Sequence, residues 1–553
     1  MTPPSGAGTR KAGQPGALVV RLLDLEPASP MTDADREAFR RRYSVLFAED
    51  GTSRRGGLGM VRRVSNAYGE KLALKTLLDA GTLAPVATVR EASADGQDPT
   101  VVDNRRRDAL LAAFHAEYEG QRALQGLGCV PRLYGWGMAD GLPAILMEWV
   151  EGETLGHVAR ALAVDDAGRV SPPVAAAIGR DLFAALATLA AAPEPVVHRD
   201  ISPSNVMVRT SARGLEEQLA SGTFDLCLID FGSSVVGLPS AGSLTRAGLT
   251  MRWATPDYAP PEMLTDDVAG LSALRRSPAI DVYAAASTVY ALACGTPPFG
   301  DERAQGPSGL SPYRTKMDLD PADPVLAHAN ARTLDAVLLR EPRVGDAVAS
   351  AIAELPQAPA DEECARALDR VDGQVSDVLL DCLTPDQQAR PGASDAAHRL
   401  GVIAAHYERN VGHALRGEPL EPRDAVPASA NPLRARRALR VVAHAACVAV
   451  TVAICVAFAR QLETARSLAL ALPLVAGLAL RARDRASLAG VLRGVAGLLL
   501  GVVVAAAILV PVLPAGLAPM SLVPALASAA ATAWLPLAVD YATLSEGSAK
   551  KGA

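Results

Sequence analysis

The chain has 553 residues, a formal net charge of −6, and 49% apolar but only 4% aromatic residues. That length allows three or four domains, and an acidic balance without a basic stripe excludes a nucleic-acid-binding footprint. The seven cysteines form no C-x-x-C pair, so neither a disulfide framework nor a cysteine zinc site is expected.

Residues 1–16 are rich in Pro, Gly and Thr and lack the apolar run of a signal peptide. An N-terminal extension over 1–42, partly disordered, is expected to remain in the cytoplasm. Residues 43–78 alternate short apolar runs with glycines and read as strands. They contain Arg54-Arg55-Gly56-Gly57-Leu58-Gly59-Met60-Val61 and Leu72-Ala73-Leu74-Lys75. Glycines, having no Cβ, let a backbone approach phosphate closely. The polar run 79–108 is longer than an ordinary connection and reads as a mobile insertion. The spacing of Leu110, Phe114, Leu124 and Leu127 predicts a helix over 109–127, which carries Glu117 and Glu119. Residues 130–149 read as two strands around Gly141.

The pattern is mainly helical from residue 171. His198-Arg199-Asp200-Ile201-Ser202-Pro203-Ser204-Asn205 and the later Asp230-Phe231-Gly232 carry the most chemistry. An acid that orients a hydroxyl, an amide, and a second acid are what phosphoryl transfer from Mg·ATP requires. Asp200 suits the first role. Asn205 and Asp230 offer the hard oxygens that magnesium prefers. A short insertion is expected at 210–223, and a polar, Pro-rich stretch at 300–324.

A Pro/Glu/Ala linker runs from 417 to 432, and the character then changes. The segments 441–459, 467–480, 495–513 and 517–539 are almost wholly apolar. The first is long enough to cross roughly 30 Å of hydrocarbon. Four spans would put Arg434, Arg436, Arg437 and Arg440, then Arg481, Arg483 and Arg485, then Lys550 and Lys551 on one side, the cytoplasmic one. Arg460 and Arg466 fall on the outer side against this bias. A buried helical bundle in water is the alternative.

The ordered motifs resemble the bacterial eukaryotic-like Ser/Thr protein kinase family, in its membrane-anchored form, over residues 43–405. The resemblance implies an α+β, two-lobed protein-kinase fold with a small β-rich N-lobe and a helical C-lobe. A linker over 406–437, a transmembrane region of about four helices over 438–540 and a cytoplasmic tail over 541–553 would follow. By resemblance, Gly56, Gly57, Gly59 and Val61 close over ATP, with Ala73 beside them. Lys75 holds the phosphates and pairs with Glu117, or with its rival Glu119. Backbone groups of Glu148 and Val150 face adenine. Asp200 is the catalytic base, and Asn205 and Asp230 hold Mg²⁺, with Mn²⁺ as a substitute.

The resemblance extends to Ala254–Glu262, which looks like the end of an activation segment, to a buried Asp281, and to Arg390 as the partner of Glu262. Arg199 would bind a phosphate on the segment, with Thr245 and Thr250 the best-placed acceptors. Thr255 stands where the family supports Ser/Thr specificity. Two positions depart from the pattern. Arg54 replaces the first loop glycine, and Ser202 replaces the lysine that helps hold the γ-phosphate. The implied function is an ATP-dependent kinase acting on Ser or Thr of protein substrates and of itself, with a lipid bilayer and a homodimer as further partners. The alternatives are a pseudokinase scaffold and a small-molecule kinase.

Overall fold

The computed structural model describes residues 18–49, 51–55, 59–77, 99–236, 255–265, 271, 273–300, 311–324 and 341–421, with short helical pieces at 495–496, 499–500 and 502–504. The chain divides into two units, Met1–Arg423 and Asp424–Ala553.

The N-lobe begins earlier than the sequence suggests. Strand β1 (Leu18–Pro27) and helix α1 (Asp33–Tyr43) lie within the stretch expected as an extension over 1–42, and they are integral to the sheet. This corrects that expectation for residues 18–42. Strand β1 alternates until Asp24, where φ is +50° and the register against a later strand shifts. Strict alternation would point Asp24 inward after Val20 and Leu22. The bulge turns Leu25 inward instead. Thr32 caps α1, with its hydroxyl accepting from the Asp35 amide. Acidic residues fill the first turn of α1 and arginines the last, in line with the helix dipole.

Strands β2 (Val45–Ala48), β3 (Arg54–Arg55), β4 (Gly59–Asn66) and β5 (Lys71–Leu77) follow, then helix α2 (Pro99–Ala123) and strands β6 (Leu133–Ala139) and β7 (Leu142–Glu148). Helix α2 starts at Pro99, ten residues before the start expected at 109, and takes up part of the expected insertion. The sheet order is β2-β1-β6-β7-β5-β4-β3, and β2 also pairs with β4. Six strands therefore close into a ring, with β3 attached to β4. Gly135 marks where β6 crosses β1 most tightly, because a Cβ there would sit 2.3 Å from the Glu26 carbonyl oxygen. Phe39, Tyr43, Leu46, Val64, Leu72, Leu74 and Leu146 fill the interior. A second apolar layer, with Leu110, Phe114, Leu133 and Ile145, joins α2 to the sheet.

The C-lobe is built on two helices, α4 (Pro172–Ala190) and α6 (Ala279–Cys294). Their small residues, Ala175, Ala176, Ala284, Ala285 and Ala286, are buried and permit close approach. Strand β8 (Gly152–Thr154) and α3 (Leu155–Ala161) precede α4, and between α4 and α6 lie β9 (Val196–Val197), β10 (Val206–Arg209), α5 (Leu215–Ser221), β11 (Leu226–Leu228) and β12 (Val235–Val236). The expected insertion at 210–223 thus contains a short helix. Helix α7 (Pro312–Asp318) interrupts the stretch read as polar and Pro-rich. Helices α8 (Pro342–Ala353), α9 (Asp361–Cys382) and α10 (Ala393–Leu415) complete the unit, with their own core of Val344, Val348, Val371, Tyr407 and Val411. Helix α10 passes through residue 405, where the domain was expected to end.

Among the described residues, α4 is the one helix long and apolar enough to cross a membrane, and it lies in the C-lobe core. The segments 441–459, 467–480 and 517–539 lie outside the described residues, as does most of 495–513.

Replacing Gly135 tests the tight crossing of β6 and β1. Gly135→Ala is expected to lower stability by about 1–3 kcal/mol, because a backbone oxygen must move. Gly128→Ala, at a position where nothing lies within 4 Å of the added carbon, should leave the unfolding midpoint within error. Equal midpoints for the two variants would contradict the crossing.

Candidate active site

Lys75 sits in the middle of β5, paired in register with Val61 of β4 and Ile145 of β7. Its neighbours Leu72 and Leu74 are fully buried, and Lys75 itself is 1% exposed. An ammonium at such depth needs counter-charge. Two carboxylates provide it, Glu117 Oε1 at 2.5 Å and Asp230 Oδ1 at 2.7 Å. The 109–127 helix left Glu117 and Glu119 as rivals. Glu119 is on the solvent side, paired with Arg122 at 2.7 Å.

Burial alone would lower the Lys75 pKa, but the two carboxylates outweigh it and hold the ammonium charged. Burial would likewise raise Asp230. Lys75 outweighs that and keeps the Asp230 carboxyl below its ordinary range. Asp230 follows β11 with φ +63°, a left-handed conformation uncommon for non-glycine residues.

The catalytic-loop residues are fixed from below. Asp281, in the first turn of α6, accepts the backbone N–H groups of His198 and Arg199, each at 2.7 Å. The side chain of Asn205 donates to both the carbonyl and Oδ2 of Asp200, each at 2.8 Å. Thr255 donates its N–H and its hydroxyl to Asp200 Oδ1, each at 2.9 Å. Burial raises the Asp200 carboxyl above its usual value, and the Thr255 and Asn205 bonds oppose that rise. Asp200 is thereby aimed, with both oxygens engaged.

Asn205 turns its amide nitrogen to Asp200, which leaves the amide oxygen as the end suited to a metal. Asp230 offers a partly exposed carboxylate. Among the described residues no cluster of three or more His, Cys, Asp or Glu could hold a metal. Two hard oxygen ligands without a protein cage fit Mg²⁺, which takes the rest of its shell from water and phosphate.

Gly56 and Gly57 lie outside the described residues, and so do Thr245 and Thr250. Gly59 begins β4, where a Cβ would fall 2.5 Å from the Thr76 carbonyl oxygen. Its demonstrable constraint is therefore strand packing. Ser202, expected among the cofactor-binding residues, is 1% exposed and hydrogen-bonded to Ser204 Oγ at 2.9 Å. It is covered, and one of the two hydroxyls donates to the other.

At the hinge, Ala73 pairs with Met147, and Val150 is buried. The Glu148 amide already donates to Arg132 O at 2.8 Å. Its carboxylate pairs with Arg209, which sequence reasoning missed. Arg199 directs its Nε to the Arg275 carbonyl at 2.8 Å, and burial pushes its guanidinium down to about 10. Lys316 of α7 was also missed. It donates to the carbonyls of Pro256, Asp257 and Ala259. The Ser311 cap followed by Pro312 was a legible helix start in that stretch.

Glu262 and Arg390 form a two-pronged pair at 2.6 and 3.0 Å, and the arginine side chain is wholly buried. Glu262→Gln would leave that guanidinium under-compensated, with an expected loss of about 3–5 kcal/mol in unfolding experiments. Glu119→Gln, at an exposed pair, should stay within about 1 kcal/mol. Comparable losses for both would refute the difference in burial.

Residues 105–400 match the protein kinase domain family. Over 251 residues the chain is 30% identical to the serine/threonine-protein kinase PkaB of Streptomyces coelicolor, covering 44% of this chain and 52% of that protein. Over 243 residues it is 28% identical to the serine/threonine-protein kinase PknB of Mycobacterium tuberculosis, covering 43% and 33%. Over 277 residues it is 32% identical to calcium-dependent protein kinase 21 of Oryza sativa, covering 48% and 41%. The chain thus spans about half or less of the length of these relatives. Lys75 precedes the family match, and its place in the site is set by the Glu117 and Asp230 pairs. With the family match covering more than half of the chain and the catalytic loop, Asp230 and the Glu262–Arg390 pair arranged as described, the chain belongs to the protein kinase family.

Proposed function

We propose that the chain is an ATP-dependent protein serine/threonine kinase, anchored in a membrane, that phosphorylates protein substrates and itself. One observation carries this reading. Asn205, which aims Asp200 together with Thr255, accepts through its carbonyl from the Ile229 amide at 2.9 Å, one residue before Asp230 of the Lys75–Glu117–Asp230 cluster. Lys75 is suited to contact the α- and β-phosphates, and Glu117 to hold it in place. Asn205 and Asp230 would hold Mg²⁺, which when bound neutralises phosphate charge. Asp200 orients the acceptor hydroxyl and takes its proton as the oxygen bonds to the γ-phosphorus and ADP leaves. The Thr255 hydroxyl bond to Asp200 supports Ser/Thr acceptors. Glu148 and Val150 remain the hinge positions for adenine, and Gly56, Gly57, Gly59 and Val61 those for the phosphate loop.

A nucleotide-binding scaffold is the second reading, and the covered Ser202 favours it. Without a lysine there, one source of charge stabilisation near the transferring group is missing.

The deciding test is phosphate transfer by the full chain with Mg·ATP and a mapped acceptor. Asp200→Asn is expected to lower transfer by about 10²–10⁴-fold. Thr255→Val removes a bond that holds the Asp200 carboxyl down, so Asp200 would protonate at higher pH. The acid limb of the kcat/KM profile should move up, with turnover about tenfold lower. Nucleotide binding without transfer would reject the kinase reading and favour the scaffold.

Membrane anchoring is supported by the apolar runs after residue 440 and the arginine clusters flanking them. With Cys447 and Cys455 replaced, Thr464→Cys should react with an impermeant maleimide in intact cells, and Ser487→Cys only after lysis. Labelling of both before lysis, or of neither, would contradict the four-span topology.

A further inference from the structure

Lys316 is among the largest fully buried side chains, yet it lies outside the nucleotide site. Helix α7 carries it towards the turn that follows Thr255. The Lys316 Nζ donates to Pro256 O at 2.9 Å, Asp257 O at 3.0 Å and Ala259 O at 2.6 Å. An ammonium has three N–H donors, and these three carbonyls match that number. Its Nζ also lies 5.4 Å from the centroid of the Tyr283 ring, within cation–π range. The Arg390 guanidinium carbon is 4.9 Å from the same centroid.

The three carbonyls belong to one closed turn. Thr255 O accepts from the amides of Tyr258 and Ala259, each at 3.0 Å. Thr255 is also the residue that grips Asp200 through its N–H and hydroxyl. A continuous set of bonds therefore runs from Lys316 through residues 256–259 to Thr255 and on to Asp200. Apolar packing could fill the space that Lys316 occupies, but it could not donate to the carbonyls of Pro256, Asp257 and the buried Ala259.

We propose that Lys316 is a positioning residue for peptide phosphorylation. It holds the 255–259 turn as a platform for a hydroxyl-bearing peptide and, through Thr255, keeps Asp200 aimed. This rests on the kinase reading above. Lys316 acts through the carbonyls of the 255–259 turn, so its loss acts on the peptide step and leaves the nucleotide step alone.

The test compares the full-length wild type with Lys316→Met, using a Ser/Thr peptide taken from a mapped site of autophosphorylation or substrate phosphorylation. The kcat/KM for peptide is expected to fall at least about tenfold with a rise in peptide KM, while KM for ATP stays within about twofold. Neither KM depends on the fraction of active protein, so simple destabilisation would not produce this split. Amide hydrogen exchange at Tyr258 and Ala259 should accelerate. Lys316→Arg, which restores donors and charge, should recover the peptide kcat/KM to within about threefold of wild type. If the methionine variant does not fold, Lys316→Gln makes the same comparison. Unchanged peptide KM and exchange in a folded neutral variant would overturn the inference and leave the kinase reading intact. A wild type that transfers no phosphate would overturn both.

Discussion

A lysine buried between two carboxylates is the constraint on which the rest of the catalytic unit depends. Lys75 comes from the N-lobe ring, Glu117 from α2 and Asp230 from the C-lobe side of the cleft. Neither Lys75 nor Glu117 is stable at that depth without the other, and the partly exposed Asp230 adds the second carboxylate. An isolated buried charge is far too costly, and a pair with one member missing is worse than no pair. The ring, the helix and the Asp230 turn are therefore locked to a common geometry. The left-handed backbone at Asp230 is held against its local preference by the same cluster.

A second anchor works at the level of backbone. Asp281 takes the adjacent amides of His198 and Arg199, and Arg199 has φ +70°. The tyrosine two residues further along α6 presents its ring to both Arg390 and Lys316. One turn of a buried helix thus ties together the loop that carries Asp200, the Glu262–Arg390 pair and the turn after Thr255. Rigid helices hold such groups more closely in place than loops can.

Legibility in the sequence followed physical specificity. Asp200, Asn205, Asp230 and Lys75 were readable because their chemistry demands particular residue types at particular spacings. Helical spacing favoured Glu117, three residues after Phe114 and seven before Leu124, over Glu119, and the contacts place Glu117 on Lys75 and Glu119 on Arg122. Residues 18–42 were read as part of an extension because the pairing partner of β1, β6, is remote in sequence and the bulge at Asp24 breaks the alternation that signals a strand. Ser202 was read by position alone, and position did not reveal its bond to Ser204. Lys316 was hidden by composition. A lysine in a polar stretch gives no sign that it will be buried against three carbonyls.

The strand ring also sets an order of assembly. Leu22 of β1 pairs with Ala139 of β6, far along the chain, whereas Val20 pairs with Leu46 of β2 close by. During synthesis β1 and β2, joined through α1, are both available early, but the other flank of β1 waits until α2 and β6 have emerged. Over that interval β1 has one unpaired edge and an uncovered row of Val20, Leu22 and Leu25, the arrangement that invites strand addition from another chain. Closure of the ring removes that edge. A nascent chain that stalls before residue 139 is therefore the stage at which this protein is most exposed to misassociation, and folding of its N-lobe is governed by a long-range pairing event that local propensity cannot hasten.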